Sequence, residues 1–223
     1  MTGSMPEWAE KFFSAPRMKP YLRASGGDPD AALRLYGWNV EASEALYTPL
    51  HYVELAVRNA LHESLVRTYG RTDWWGTAPL DAKGRNLVEK ARAKCEANEE
   101  RRATEQQRPK RAVTVDDVVT ELNFGFWATL LVKRYDRAFW RTSLHEAFAY
   151  YSGPRAPLSA DLWALVRLRN RVMHHEPIHA EDLDAAHARI YRVLGALSPD
   201  LAKVVRAADR FRSVLDGKED ALE

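Results

Sequence analysis

The chain has a single cysteine, Cys95, among 223 residues. An intrachain disulfide is therefore impossible, the cysteine-rich zinc patterns are excluded, and a reducing compartment fits best. Long apolar runs are also missing. The longest, Phe124 to Val132, is about half of the ~18–20 residues that a membrane-spanning helix needs. The opening Met1-Thr2-Gly3-Ser4-Met5-Pro6 has no basic segment leading into an apolar one, so no secretory signal is read there. A cytoplasmic protein with no membrane partner is expected. Excess charge is small too: the net charge is +2, so any phosphate-binding surface has to be local. Glycine and proline number 11 each, which excludes collagen-like and low-complexity character. A Gly-rich phosphate loop, a Gly-x-Ser-x-Gly elbow and a His-Glu-x-x-His pair are all absent.

What is present is helical. Apolar residues recur at helical spacing almost everywhere, and alternating strand patterns of useful length do not occur, so the expected class is all-α. Trp8 to Phe13 reads as a short N-terminal helix. Asp28-Pro29-Asp30 reads as a cap and first turn for a helix to about Val40. Glu44 to Tyr69 reads as a long helix, bent or restarted at Pro49 and stopped by Gly70. Asp81 to Glu100 is helical with a fraying end. Lys94 to Arg111 holds ten charged residues and reads as a frayed end plus a flexible charged loop near 96–112. The basic tail of that stretch, Arg101, Arg102, Arg108, Lys110 and Arg111, is either a solvated loop or an RNA-backbone contact. Thr114-Val115-Asp116-Asp117 resembles a capping box. Further helices are expected to about Leu122, at Trp127 to Tyr135, at Arg137 to Phe148, from about Ser159 to His175, and at Glu181 to Leu197 and Pro199 to Leu215. The domain layout is then a helical extension over 1–25, one helical domain over 26–215 and a frayed tail over 216–223. The aromatic side chains are mostly core; Trp74-Trp75 either caps that core or sits at an interface.

The segment richest in chemistry is Leu168-Arg169-Asn170-Arg171-Val172-Met173-His174-His175-Glu176-Pro177. Asn170 and His174 are four residues apart on one helix face, and Arg169 lies about 100° round from Asn170. His174 falls in the last turn, near the negative end of the helix dipole. Arg-x4-His alone is uninformative, since chance gives ~0.75 occurrences in a chain of this composition. Requiring Asn directly after the Arg lowers that to ~0.02. Two readings stay open on chemistry alone: a phosphate site, or a helix end with a dipole-satisfying histidine and surface arginines. A metal at His174, His175, Glu176 and His179 is disfavoured because adjacent histidines point to different helix faces. A second polar stripe, His51, Glu54, Arg58 and His62, lines one face of the long helix, with Asn59 beside it. Glu54 to Arg58 is the favourable order for an i,i+4 ion pair. That stripe reads as a structural ion pair, or as Arg58 and Asn59 supporting the phosphate site.

Arg169-Asn170-Arg171-Val172-Met173-His174 resembles the Arg-polar-x3-His signature of HEPN domains. The wider pattern is similar to the Abi-like abortive-infection branch of bacterial HEPN proteins. It runs through Ala45-Leu46-Tyr47, Glu54-x3-Arg58-Asn59-Ala60-Leu61-His62, Asp73-Trp74-Trp75, Glu121-Leu122-Asn123-Phe124-Gly125-Phe126-Trp127 and Leu168 to Ile178. The resemblance implies a HEPN-like helical bundle with extra N-terminal helices, and a homodimer in which the motifs of two protomers share one cleft. It implies a metal-independent endoribonuclease, without cofactor, directed at tRNA or mRNA; an RNA or protein antitoxin that holds it inactive stays open as a further partner. Arg169, Asn170 and His174 match the active-site motif; Glu54, Arg58 and Asn59 match the upstream one; His62, Arg171 and His175 are the remaining supporting candidates. In that chemistry the RNA 2′-hydroxyl attacks the adjacent phosphate. His174 serves as general base or acid, Arg169 neutralises the transition state, and Asn170 orients His174 or the phosphate. The second imidazole comes from the partner protomer or, less favourably, from His175. A non-catalytic RNA-binding or scaffold protein is the alternative.

Overall fold

The structure, a computed structural model, describes residues 4–222, and among them every regular element is helical. The chain opens with α1 (Glu7–Phe13) and α2 (Ala15–Ala24) and continues with the 41-residue α3 (Pro29–Tyr69). Asp28 caps α3 by accepting from the N–H groups of Asp30 and Ala31, and Gly70, at φ 68°, ends it. The two helices expected between Pro29 and Tyr69 are thus one. Gly37 and Pro49 cost helix stability locally. An inward row that includes Leu35, Trp38, Ala42, Leu46, Leu50, Val53, Val57, Leu61 and Leu65 outweighs that cost by burying one face along the full length.

The other helices wrap this axis. They are α4 (Ala82–Glu105), α5 (Val115–Glu121), α6 (Phe124–Thr129), α7 (His145–Ala147), α8 (Arg155–Met173), α9 (Leu183–Leu197), α10 (Pro199–Ala207) and α11 (Phe211–Asp216). A π-helical segment, Asp136–Leu144, leads into α7. It is tied to α3 through Ser143, whose hydroxyl lies 2.8 Å from both Ser64 Oγ and Thr68 Oγ1. α8 packs between α3, α6 and α9. Trp74 and Trp127 are fully enclosed, and Trp75, half-buried, packs against the same core. Met5, Ala9, Met18 and Tyr21 belong to the same core, so α1 and α2 are built into the body of the fold. The bounds of α2 within the expected helical extension are not readable from apolar spacing, because Pro16 and Pro20 interrupt it; Pro16 sits in the first turn, where a missing N–H costs nothing.

The charged stretch is ordered differently from the expected flexible loop. α4 continues to Glu105, and the Glu99 carboxylate, 3% exposed, accepts from Arg108 Nη1 at 2.6 Å and from the Arg111 backbone N–H at 3.0 Å. Arg111 also pairs with Asp117, which completes the capping box with Thr114. A row of charged residues looked solvated because sequence spacing does not reveal which carboxylate turns inward. The Arg108 guanidinium and then the Arg111 N–H hold the Glu99 carboxyl down to about 2. A group whose folded pKa is depressed contributes stability above its ordinary value near 4.5, and that contribution is lost as the pH falls towards 2. Limited proteolysis at residues 106–114 should accelerate across that window in the parent protein and show no such step in Glu99→Gln.

Candidate active site

The end of α8 is held in place before any of its polar groups is considered. Leu162, Leu165, Val166, Leu168 and Val172 are buried, which fixes the rotation of the helix and sends Arg169, Asn170 and His174 away from the core. Arg169 is then caught from α3. Its Nε lies 2.8 Å from Glu54 Oε2 and its Nη2 lies 3.5 Å from Oε1, an ion pair spanning 115 residues of sequence. The two side chains are 30% and 21% exposed, so the pair is accessible from one side. Arg169 Nη1 is 3.5 Å from Asn170 Oδ1. Asn170 and His174 are exposed, and the His174 backbone N–H donates to the Asn170 carbonyl at 2.9 Å. No side-chain hydrogen bond engages the His174 ring among the described residues.

The expected Glu54–Arg58 pair does not form. Glu54 turns to Arg169 instead, and Arg58 Nε donates to Asn59 Oδ1 at 3.3 Å. This leaves Arg58 and Asn59 one turn along α3 from the pair, exposed or half-buried. An i,i+4 preference of a few tenths of a kcal/mol loses to a bidentate guanidinium–carboxylate contact between helices. His62 is separated from this group. Its Nδ1 accepts from Trp74 Nε1 at 3.1 Å, and burial lowers its pKa. His62 therefore stabilises the aromatic core rather than the cleft. His62→Leu should lower the melting temperature measured by calorimetry, because it removes the acceptor for the Trp74 indole N–H.

The turn after α8 is where sequence reasoning found the residues and missed their partners. His175 N–H donates to Val172 O and Glu176 N–H to Arg171 O, with His175 at φ 57°. This is a Schellman ending with histidine where glycine is usual. Arg171, a supporting candidate, instead grips the exit: its Nε and Nη2 donate to Pro177 O at 3.2 and 2.6 Å, and its Nη1 is 3.4 Å from Glu181. The buried Asn39 accepts from the N–H groups of Ile178 and His179 at 2.7 and 3.1 Å, and Lys218 donates to His179 O. Arg17 Nη1, on α2, donates to His175 O at 2.6 Å. No sequence signal points to Arg17, Asn39 or Lys218, because each acts from more than thirty residues away.

Beside the Glu54–Arg169 pair, a small cleft under Tyr47, Leu50, Val172 and Met173 opens towards a groove of about 530 Å³ walled by Tyr36, Val40, Tyr47, Met173 and His175. Val40, Tyr47 and Met173 are 50%, 49% and 40% exposed, an apolar patch adjoining a charged cleft. The described residues include no cluster of three or more His, Cys, Asp or Glu side chains placed to hold a metal ion. No helix among the described residues is long and apolar enough to cross a membrane. What the arrangement offers chemically is an oriented guanidinium, a carboxamide and an exposed imidazole along the last turn and a half of α8. Comparison of the chain with protein-family models, with curated proteins and with solved structures gave no match.

Proposed function

We propose that the protein is a metal-independent endoribonuclease of the HEPN type, acting as a toxin in abortive-infection defence. The observation that carries this reading is the placement of Arg169 by Glu54 across two helices, with Asn170 and His174 accessible on the same helix end. Arg169 keeps N–H donors that Glu54 does not use, and these suit a non-bridging phosphate oxygen. Glu54 fixes the guanidinium in one orientation before substrate arrives, which lowers the reorganisation needed at the moment of reaction. His174 takes the 2′-hydroxyl proton or gives one to the 5′-oxygen leaving group, and Asn170 orients the phosphate or the imidazole. Attack by the 2′-hydroxyl breaks the phosphorus–5′-oxygen bond and leaves 2′,3′-cyclic phosphate and 5′-hydroxyl ends.

One exposed His174 per copy does not supply base and acid together. The apolar patch of Val40, Tyr47 and Met173 is suited to burial against a second copy, which brings the other imidazole to the same linkage. Incubation of the purified protein with tRNA and mRNA in EDTA tests the reading. Cleavage is expected to persist and its products to carry cyclic phosphate. Intact RNA under those conditions, or products with free 3′-hydroxyl ends, contradicts it.

The Glu54–Arg169 pair also supports a second reading. A guanidinium already neutralised by a carboxylate binds phosphate weakly until that carboxylate is displaced, which suits a scaffold or restrained toxin governed by an antitoxin. In that case the protein retards RNA in a gel without cutting it.

A further inference from the structure

We propose that Arg17, on α2, is a positioning residue of the candidate active site, holding through the His175 carbonyl the left-handed turn that sets where the His174 and His175 imidazoles point. For its activity readout the proposal rests on the nuclease reading; its structural readout does not. His175 adopts φ 57°, a conformation that a side chain bearing Cβ disfavours and that persists only where the surroundings over-determine it. The downstream half of the turn is gripped three times, by Arg171 on Pro177 O, by Asn39 on the Ile178 and His179 N–H groups, and by Lys218 on His179 O. The upstream half has the two Schellman hydrogen bonds and, from outside the helix, Arg17 at 2.6 Å. Arg17 is therefore the one side chain among the described residues whose hydrogen bond meets the strained peptide itself.

The rest of the seam does not substitute for it. The Tyr21 ring, also on α2, lies 4.9 Å from the His179 ring, but Tyr21 Oη and His179 Nδ1 are buried without a hydrogen-bond partner. Among the described residues the hydrogen bond between α2 and the turn is thus the Arg17 bond, beside the packing of the Tyr21 ring on the His179 ring. Because that bond is charge-assisted and solvent-accessible, its loss leaves the hydrophobic core intact and lets the turn relax. A catalytic imidazole displaced by about 1 Å loses much of its effect, on the order of a hundredfold. This assigns the N-terminal helices a part in the site, although their sequence carries none of its motif.

The test is a cycle between Arg17→Ala and His175→Gly, with Arg17→Lys as the conservative variant. Glycine takes the left-handed conformation without strain, so it removes the need for the clamp. In the parent background Arg17→Ala is expected to lower kcat for RNA cleavage at least tenfold, with KM within about twofold, and Arg17→Lys to recover most of the loss. In the His175→Gly background the same Arg17→Ala change should cost less than about twofold. Independently of cleavage, the His175 ¹³Cα shift and the His174 ring proton shifts should move in Arg17→Ala and stay put in Arg17→Lys. Unchanged His175 and His174 shifts in Arg17→Ala overturn the proposal. So does a rise in KM at constant kcat, which makes Arg17 a substrate contact. If the parent cuts no RNA, the nuclease reading falls and the shift measurements alone decide the role of Arg17.

Discussion

His174→Ala is expected to lower RNA cleavage by roughly 10²–10⁴ while leaving the melting temperature within about 2 °C of the parent. The two halves of that result come from different features of the same residue. His174 is the C-cap of α8, and its backbone N–H bonds to Asn170 O whatever the side chain. Its ring is exposed and carries no intramolecular hydrogen bond among the described residues, so removing it breaks no packing. A ring with no structural role at the end of a well-buried helix is free to act on a substrate proton. Equal cleavage by parent and His174→Ala at matched stability would remove the residue from the mechanism. His175→Ala should cost far less cleavage, provided that the second imidazole comes from the partner copy.

Arg169→Ala is expected to remove cleavage by about 10²–10³ and also to destabilise the fold, because it strands a largely buried carboxylate. Glu54 is 21% exposed and takes its one close contact, at 2.8 Å, from Arg169, with a longer one at 3.5 Å from the same guanidinium. The loss of stability should be about 1–3 kcal/mol. The double variant Glu54→Gln with Arg169→Ala separates the two roles. Replacing the stranded carboxylate with a neutral amide should return most of the stability and none of the cleavage. Arg169→Lys should retain part of the stability but little activity, since an ammonium does not reproduce the fork. Full recovery of activity in the double variant would make Arg169 structural and leave the phosphate without a cation.

Helical class, the capping box at Thr114, the stop at Gly70 and the end of α8 were all legible from spacing, because they depend on residues within a turn or two. The length of α3 was not. Pro49 is a local signal against helix, and the burial that overrides it comes from α2, α8 and α9 packing around the same axis. The motif residues were legible as chemistry, yet their pairing was misread. Local preference assigned Glu54 to Arg58, while the folded chain gives it to Arg169, 115 residues on. His62 shared the stripe in sequence and left it in space, because Trp74 offers its indole N–H to the ring. The clamp on the histidine turn left no trace in the sequence, since a guanidinium reaching a carbonyl 158 residues away requires no particular neighbours.

In the proposed nuclease His174 and Arg169 act together on one ribose-phosphate linkage. The most direct test is 3′-end sequencing of cellular RNA after brief induction of the parent protein and of His174→Ala. New 2′,3′-cyclic phosphate ends are expected at recurrent sites in cells making the parent, with none above background in cells making the variant at the same level. The same set of new ends in both, or a parent that binds RNA and generates no ends, would contradict it.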